Sequence, residues 1–141
     1  MTARGPENAT NRGANPSLMV IDDDPDHREM LQDLFLGRGY DVVTAADGEE
    51  GLRLSDLHRP DLIILDIFMP GMTGLEVLAS LKRQHPRLPV IVMSAGGEDA
   101  LDRASLAMYS RLRHGAGRLF DKTIDLKQLA AAVDELLGRR R

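Results

Sequence analysis

Five apolar runs of strand length alternate with five segments of helical period along this chain, and that alternation leaves few folds open. Strands are expected near 18–22, 41–45, 61–66, 89–94 and 117–121, with helices near 25–37, 48–58, 74–84, 98–114 and 125–137. Runs such as Leu62-Ile63-Ile64-Leu65 and Pro89-Val90-Ile91-Val92-Met93 are apolar without alternation, as strands covered on both faces are. Five βα units of this kind predict an α/β fold, a doubly wound five-stranded parallel sheet with helices on both faces and right-handed crossovers. A chain of 141 residues, 43% of them hydrophobic, has room for one such domain with a proper core and none for a second. Residues 1–16 carry Gly5, Pro6, Asn8, Asn11, Gly13, Asn15 and Pro16 with almost no apolar content, so a flexible tail is expected there. The domain then runs over 17–138 and closes on a basic end at 139–141, Arg139-Arg140-Arg141, read as solvated.

Punctuation supports these boundaries. Asp24 before Pro25 reads as an N-cap followed by proline at the first helical position. Asp47 and Thr73 each stand three residues before a glutamate, Glu50 and Glu76, that can reach back to the helix start. Met69-Pro70-Gly71 carries turn chemistry and leaves Asp66 near the rim of the sheet. In the last helix Leu126, Leu129, Ala130, Val133, Leu136 and Leu137 form one stripe, as in a helix lying on a sheet.

The chemistry gathers at the strand ends. Asp22-Asp23-Asp24 follows the run Leu18-Met19-Val20-Ile21, and Asp66 closes the run of strand three. In a parallel sheet the carboxyl ends share one edge, so these acids converge. Two unit charges about 4 Å apart at an effective dielectric near 20 repel by roughly 4 kcal/mol, so such a cluster needs a cation. Strand four ends in the hydroxyl of Ser94 and strand five at Lys122. A carboxylate, a hard cation on oxygen ligands, a hydroxyl and an ammonium are the parts needed to move and hold a phosphoryl group. Magnesium suits this set best, since calcium would need more protein oxygens. The aspartate run also lacks the glycine and glutamate of a calcium-binding EF-hand loop.

Val20-Ile21-Asp22-Asp23-Asp24-Pro25, the stretch from Asp61 to Gly74, Val90-Ile91-Val92-Met93-Ser94-Ala95 and Phe120-Asp121-Lys122 strongly resemble the receiver domains of two-component response regulators. The likeness covers residues 17–137. It implies a flavodoxin-like (βα)5 sheet in the order 2-1-3-4-5. It also implies that Asp66 is the phosphoacceptor, attacking a phosphohistidine on a sensor histidine kinase or histidine phosphotransfer protein. Asp22, Asp23, Asp66 and the main-chain carbonyl of Phe68 would hold Mg2+, Lys122 would pair with the phosphate, and Ser94 would turn towards it. Such a domain is a signalling phosphoprotein, not an enzyme beyond its own phosphorylation and dephosphorylation, and it signals by phosphorylation-biased contact with a downstream protein. Phe68 and Gly96 would govern water access and so the lifetime of the phosphorylated form.

Three features depart from the family pattern. Thr123 follows Lys122 where proline is usual, and since a non-proline cis bond costs about 3 kcal/mol a trans bond and a differently aimed lysine are expected. Leu119 stands where many members carry the aromatic residue of the switch. The stretch from Ser94 to Lys122 is several residues longer than most receivers use, and the excess falls in a long fourth helix bearing Arg103, Arg111, Arg113 and His114.

Other classes are disfavoured. With no cysteine, disulfides, thiolate zinc sites and cysteine nucleophiles are excluded. No run approaches the roughly 20 apolar residues of a membrane span and no signal core opens the chain, so a cytoplasmic protein without a membrane partner is expected. The net charge of −4 gives no general footprint for nucleic acid, and none is expected as a partner. His27, His58, His85 and His114 lie in different predicted helices without metal spacing and are expected at the surface, outside the site. Gly71, Gly74, Gly96 and Gly97 are turn glycines, since no Lys-Ser or Lys-Thr follows them as in a nucleotide loop. No output domain follows the last predicted helix, so a stand-alone receiver is the first expectation. A receiver-shaped interaction module that is not phosphorylated, and an enzyme working through an aspartyl phosphate, are the rivals.

Overall fold

The computed structural model describes residues 15–112 and 118–139. In chain order it contains β1 (Ser17–Ile21), α1 (Pro25–Leu36), β2 (Asp41–Ala45), α2 (Gly48–His58), β3 (Leu62–Asp66), α3 (Gly74–Gln84), β4 (Val90–Ser94), α4 (Arg103–Leu112), β5 (Arg118–Asp121) and α5 (Leu126–Leu136). The five strands form one parallel sheet in the order β2-β1-β3-β4-β5. This is the doubly wound flavodoxin-like architecture expected from the alternation and the resemblance.

The continuous apolar runs are explained by burial on both faces. β1, β3 and β4 are buried almost throughout, whereas β2 and β5 are half-buried strands at the two sides of the sheet. Leu18, Val20, Leu62 and Ile64 pack with Leu31 and Phe35 of α1 and with Leu129, Ala130 and Val133 of α5. Met19, Ile21, Ile63 and Leu65 pack the opposite way, with Leu75, Val77, Leu78 and Leu81 of α3, Leu52 of α2 and Tyr109 of α4. Each fully buried side chain of this size contributes about 1.5–3 kcal/mol by leaving water. The stripe on α5 lies on the sheet as expected.

The caps form as the residue types dictate. Asp24 accepts from the Asp26 N–H at the start of α1, and Asp47 accepts from Glu50 at the start of α2. Thr73 and Glu76 close a reciprocal capping box on α3. Two glycines let helices approach the sheet closely. A Cβ on Gly51 would lie 2.5 Å from Cδ1 of Ile21, and one on Gly74 would strike the Asp66 carbonyl oxygen and the Ile67 Cα. Helix α5 is tied down at its far end by the buried Asp134, which accepts from the Tyr40 hydroxyl and, at 3.1 Å, from Arg38. The Arg139 guanidinium stacks 4.3 Å from the centre of the Tyr40 ring.

The long fourth helix is corrected. A 3-10 turn over Gly97–Ala100 is followed by a break at Leu101 and Asp102 before α4 begins, with Asp102 accepting from the Ser105 N–H at 2.7 Å as a cap does. A capping aspartate inside a helical pattern ends one element and starts another. Arg113 and His114, position 117 of the expected fifth strand, positions 1–14 of the expected tail, and Arg140 and Arg141 lie outside the described residues.

Candidate functional site

The carboxyl ends of β1, β3, β4 and β5 meet at one edge, and the side chains beyond them do converge. Asp22 and Asp66 are 2% and 3% exposed, which makes their charges expensive and their partners decisive, while Asp23 is exposed. One carboxylate oxygen from each of Asp22, Asp23 and Asp66 can be chosen so that all three lie within 4.8 Å of one another. The Lys122 ammonium bridges two of these acids, 3.2 Å from Asp22 Oδ2 and 3.3 Å from Asp66 Oδ2.

Lysine reaches this position without the usual proline after it. Among the described residues no peptide bond is cis. Asp121 instead accepts from both the N–H and the hydroxyl of Thr123, at 2.9 and 3.0 Å, closing a side-chain turn around Lys122. The Lys122 N–H donates to the Ser94 carbonyl at 3.0 Å and extends the β4–β5 ladder by one residue. The bond after Lys122 is trans as expected, and from this turn Lys122 reaches both buried acids.

The remaining expected residues take distinct places. The Phe68 N–H donates to Asp66 Oδ1 at 3.1 Å, and its side chain is 49% exposed. Ser94 is fully buried at the same edge, but its hydroxyl donates to the Gly97 carbonyl at 3.1 Å and, more weakly, to the Ala95 carbonyl at 3.4 Å. Leu119 is partly buried and packs against the core cluster that contains Tyr109 of α4.

The surface placement of His27 is overturned. Its Nδ1 lies 2.5 Å from Asp22 Oδ2, and its side chain is only 10% exposed. The neighbouring Arg28 donates from Nη1 to the Asp22 carbonyl oxygen at 2.7 Å. Metal-spacing rules miss such a residue because it touches a carboxylate instead of joining the cluster. The available signal was parity, since Asp22 continues the alternation of Leu18 and Val20, which face α1.

Electrostatics separates the two buried carboxylates. Burial and the nearby charge of Asp22 push the Asp66 carboxyl up to about 6, against the opposing pull of Lys122 and the Phe68 N–H. Burial also works against ionised Asp22, but hydrogen bonds from His27 and the Asp24 N–H, with the charge of Lys122, outweigh it and hold this carboxyl below its ordinary range. Burial disfavours the Lys122 ammonium, and the two aspartates more than compensate, raising its pKa. The site carries more negative charge than its single ammonium neutralises. Its donors are hard oxygens suited to magnesium, and a cationic group already sits between two of them. The residues fit a divalent cation.

Among the described residues no helix is long and apolar enough to cross a membrane. The family model for the response regulator receiver domain matches residues 18–134. Over 127 residues, 90% of this chain, the sequence is 39% identical to the transcriptional activator protein PfeR of Pseudomonas aeruginosa, of which it spans 39%. Over 124 residues, 88% of this chain, it is 43% identical to the transcriptional regulatory protein AfsQ1 of Streptomyces coelicolor, of which it spans 52%. The chain thus spans about half or less of the length of these curated relatives. Its fold is similar to the chemotaxis protein CheY4 of Vibrio cholerae, with a TM-score of 0.75 and 27% identity, covering 87% of this chain and 99% of that one.

Proposed function

Because the chain belongs to the response regulator receiver domain family, whose members signal by phosphorylation, we propose that Asp66 is its phosphoacceptor, in a step that requires Mg2+. The observation that carries this reading is the convergence of Asp22, Asp23, Asp66 and Lys122 at one edge. Asp22, Asp23, Asp66 and the Phe68 main-chain carbonyl would hold the ion. When bound, Mg2+ neutralises the clustered carboxylates and the oxygens of the incoming phosphoryl group.

The chain's own residues do the rest. A carboxylate oxygen of Asp66 attacks phosphorus, forming an O–P bond as the P–N bond of a donor phosphohistidine breaks and the imidazole leaves with the electron pair. The donor is a sensor histidine kinase or a histidine phosphotransfer protein. Lys122 moves its ammonium from the carboxylates to the phosphoryl oxygens, where charge builds. Ser94 exchanges its bond to the Gly97 carbonyl for one to the phosphoryl group, and the loop that carried that bond is released. Exposed Phe68 stands beside Asp66 and, with Gly96, controls the approach of water. The signal then passes by protein contact, in the cytoplasm where such donors work, and the domain catalyses only changes in its own phosphorylation.

Incubation with acetyl phosphate, with and without Mg2+, followed by mass spectrometry of the peptide containing Asp66, tests the proposal. Magnesium-dependent phosphorylation of Asp66 is expected, with none on Asp66→Asn. Equal incorporation by Asp66→Asn, or incorporation indifferent to magnesium, would refute it. The rival reading of an unphosphorylated interaction module rests on the Ser94 hydroxyl being already satisfied by the loop and on Leu119. It requires unchanged partner binding by Asp66→Ala.

A further inference from the structure

Asp22 is gripped from three directions. Its Oδ1 accepts from the Asp24 N–H at 2.9 Å, its Oδ2 meets His27 Nδ1 at 2.5 Å, and its carbonyl oxygen accepts from Arg28 at 2.7 Å. The Lys122 ammonium approaches both carboxylate oxygens, at 3.3 and 3.2 Å. An ionised carboxylate only accepts, through about four lone-pair directions, so His27 Nδ1 carries the proton in this contact. Two directions are then taken by His27 and Asp24, one on each oxygen. The remaining approach to both oxygens is held by Lys122, whose ammonium is also 3.3 Å from Asp66 Oδ2. Releasing Lys122 would leave the Asp22 carboxylate already turned towards the pocket and braced from behind on both oxygens.

We propose that His27 is a positioning residue for the divalent-cation site, holding the Asp22 carboxylate from behind so that its free lone pairs face the ion. The role rests on the metal site proposed above and adds to it a residue that touches neither the ion nor the phosphoryl group. The side chains of His27 and Asp22 are 10% and 3% exposed, so water competes little for this bond. Outer-shell partners of metal ligands typically contribute about 10–100-fold to metal affinity. The helix supplies the rigidity: Asp24 caps α1 and Pro25 opens it, so His27 is carried on a fixed first turn.

Titration calorimetry of the full chain with MgCl2 tests this, with urea unfolding in EDTA to confirm that each variant is folded. His27→Leu is expected to weaken Mg2+ binding about 10-fold or more. His27→Asn, whose amide nitrogen can take the place of Nδ1, is expected to stay within about threefold of wild type, whereas His27→Gln, whose donor matches the other ring nitrogen, behaves like His27→Leu. In the metal-free protein, nitrogen-15 shifts of the imidazole are expected to show a protonated Nδ1. Asp22→Asn reports on the underlying site and should lose Mg2+ binding. If Asp22→Asn loses the ion while His27→Leu binds it like wild type, the positioning role is overturned and the metal site stands. If Asp22→Asn binds like wild type, the metal site itself falls. Equal weakening by His27→Asn and His27→Leu, or a bare Nδ1, would also overturn the role, since either denies the donated bond. Should His27→Leu not fold, the contrast between His27→Asn and His27→Gln decides in the same way.

Discussion

Replacing Asp66 by asparagine should stabilise the metal-free domain, although it removes the central residue of the site. Folding moves the Asp66 carboxyl from 3.8 to about 6, and the group is 3% exposed, so solvent screening is slight. At about 1.4 kcal/mol per pKa unit, the ionised carboxylate costs the folded state up to about 3 kcal/mol. The sign follows from proton binding. Between the two pKa values the folded state holds a proton that the unfolded state has lost, so this group makes stability fall as pH rises through that window. Below the window wild type and Asp66→Asn should differ little from this cause, and above it the variant's advantage should be complete. Urea unfolding in EDTA at about pH 8 should show a midpoint shifted upward by roughly 1–3 M, for a denaturant slope of about 1–3 kcal/mol per molar. Saturating magnesium should close most of this gap, since free ion at a hundred times its Kd stabilises wild type by about 2.7 kcal/mol and the variant binds it poorly. Equal or lower stability of Asp66→Asn at high pH without metal would refute the claim that repulsion and burial dominate at this carboxylate.

Lys122→Met removes the only cation seen bridging the two buried acids among the described residues, so the Asp66 carboxyl should rise above about 6, as carbon-13 titration of the aspartates would register. An unchanged or lower value would show that the ammonium does not act on Asp66. Gly74→Ala forces a Cβ onto the backbone of Asp66 and Ile67 and should cost about 3 kcal/mol in urea unfolding, with loss of Asp66 phosphorylation even where the variant folds.

Most of the architecture was legible because its signals are local. Leu62-Ile63-Ile64-Leu65 reads as a doubly covered strand from composition alone, and Asp24, Asp47 and Thr73 mark helix starts through hydrogen bonds made within three residues. The acids and Lys122 were legible because a parallel sheet sends every strand's carboxyl end to the same edge. What was missed is partly local and partly a matter of three-dimensional placement. His27 meets Asp22 across the short turn from β1 into the first turn of α1, hinted at only by the parity of Asp22 with Leu18 and Val20, and Asp121 shapes the Lys122 loop through its bonds to Thr123. The break before α4 was masked by the helical period running through Asp102, although its capping bond to Ser105 spans the same three residues as those of Asp47 and Thr73. The tie of Asp134 to Tyr40 spans 94 positions and leaves no local trace.

Separation along the chain also governs how the domain is made. The contacts of Lys122 with Asp22 and Asp66 bridge 100 and 56 positions, so no hairpin, single βα unit or nascent half-sheet contains the assembled pocket. Parallel pairings of this span form slowly because long loops must close before any contact rewards them. The pocket that joins Lys122 to both acids is therefore complete only once β1, β3 and β5 are in register, and a chain truncated before β5 keeps the three carboxylates without the ammonium that bridges two of them.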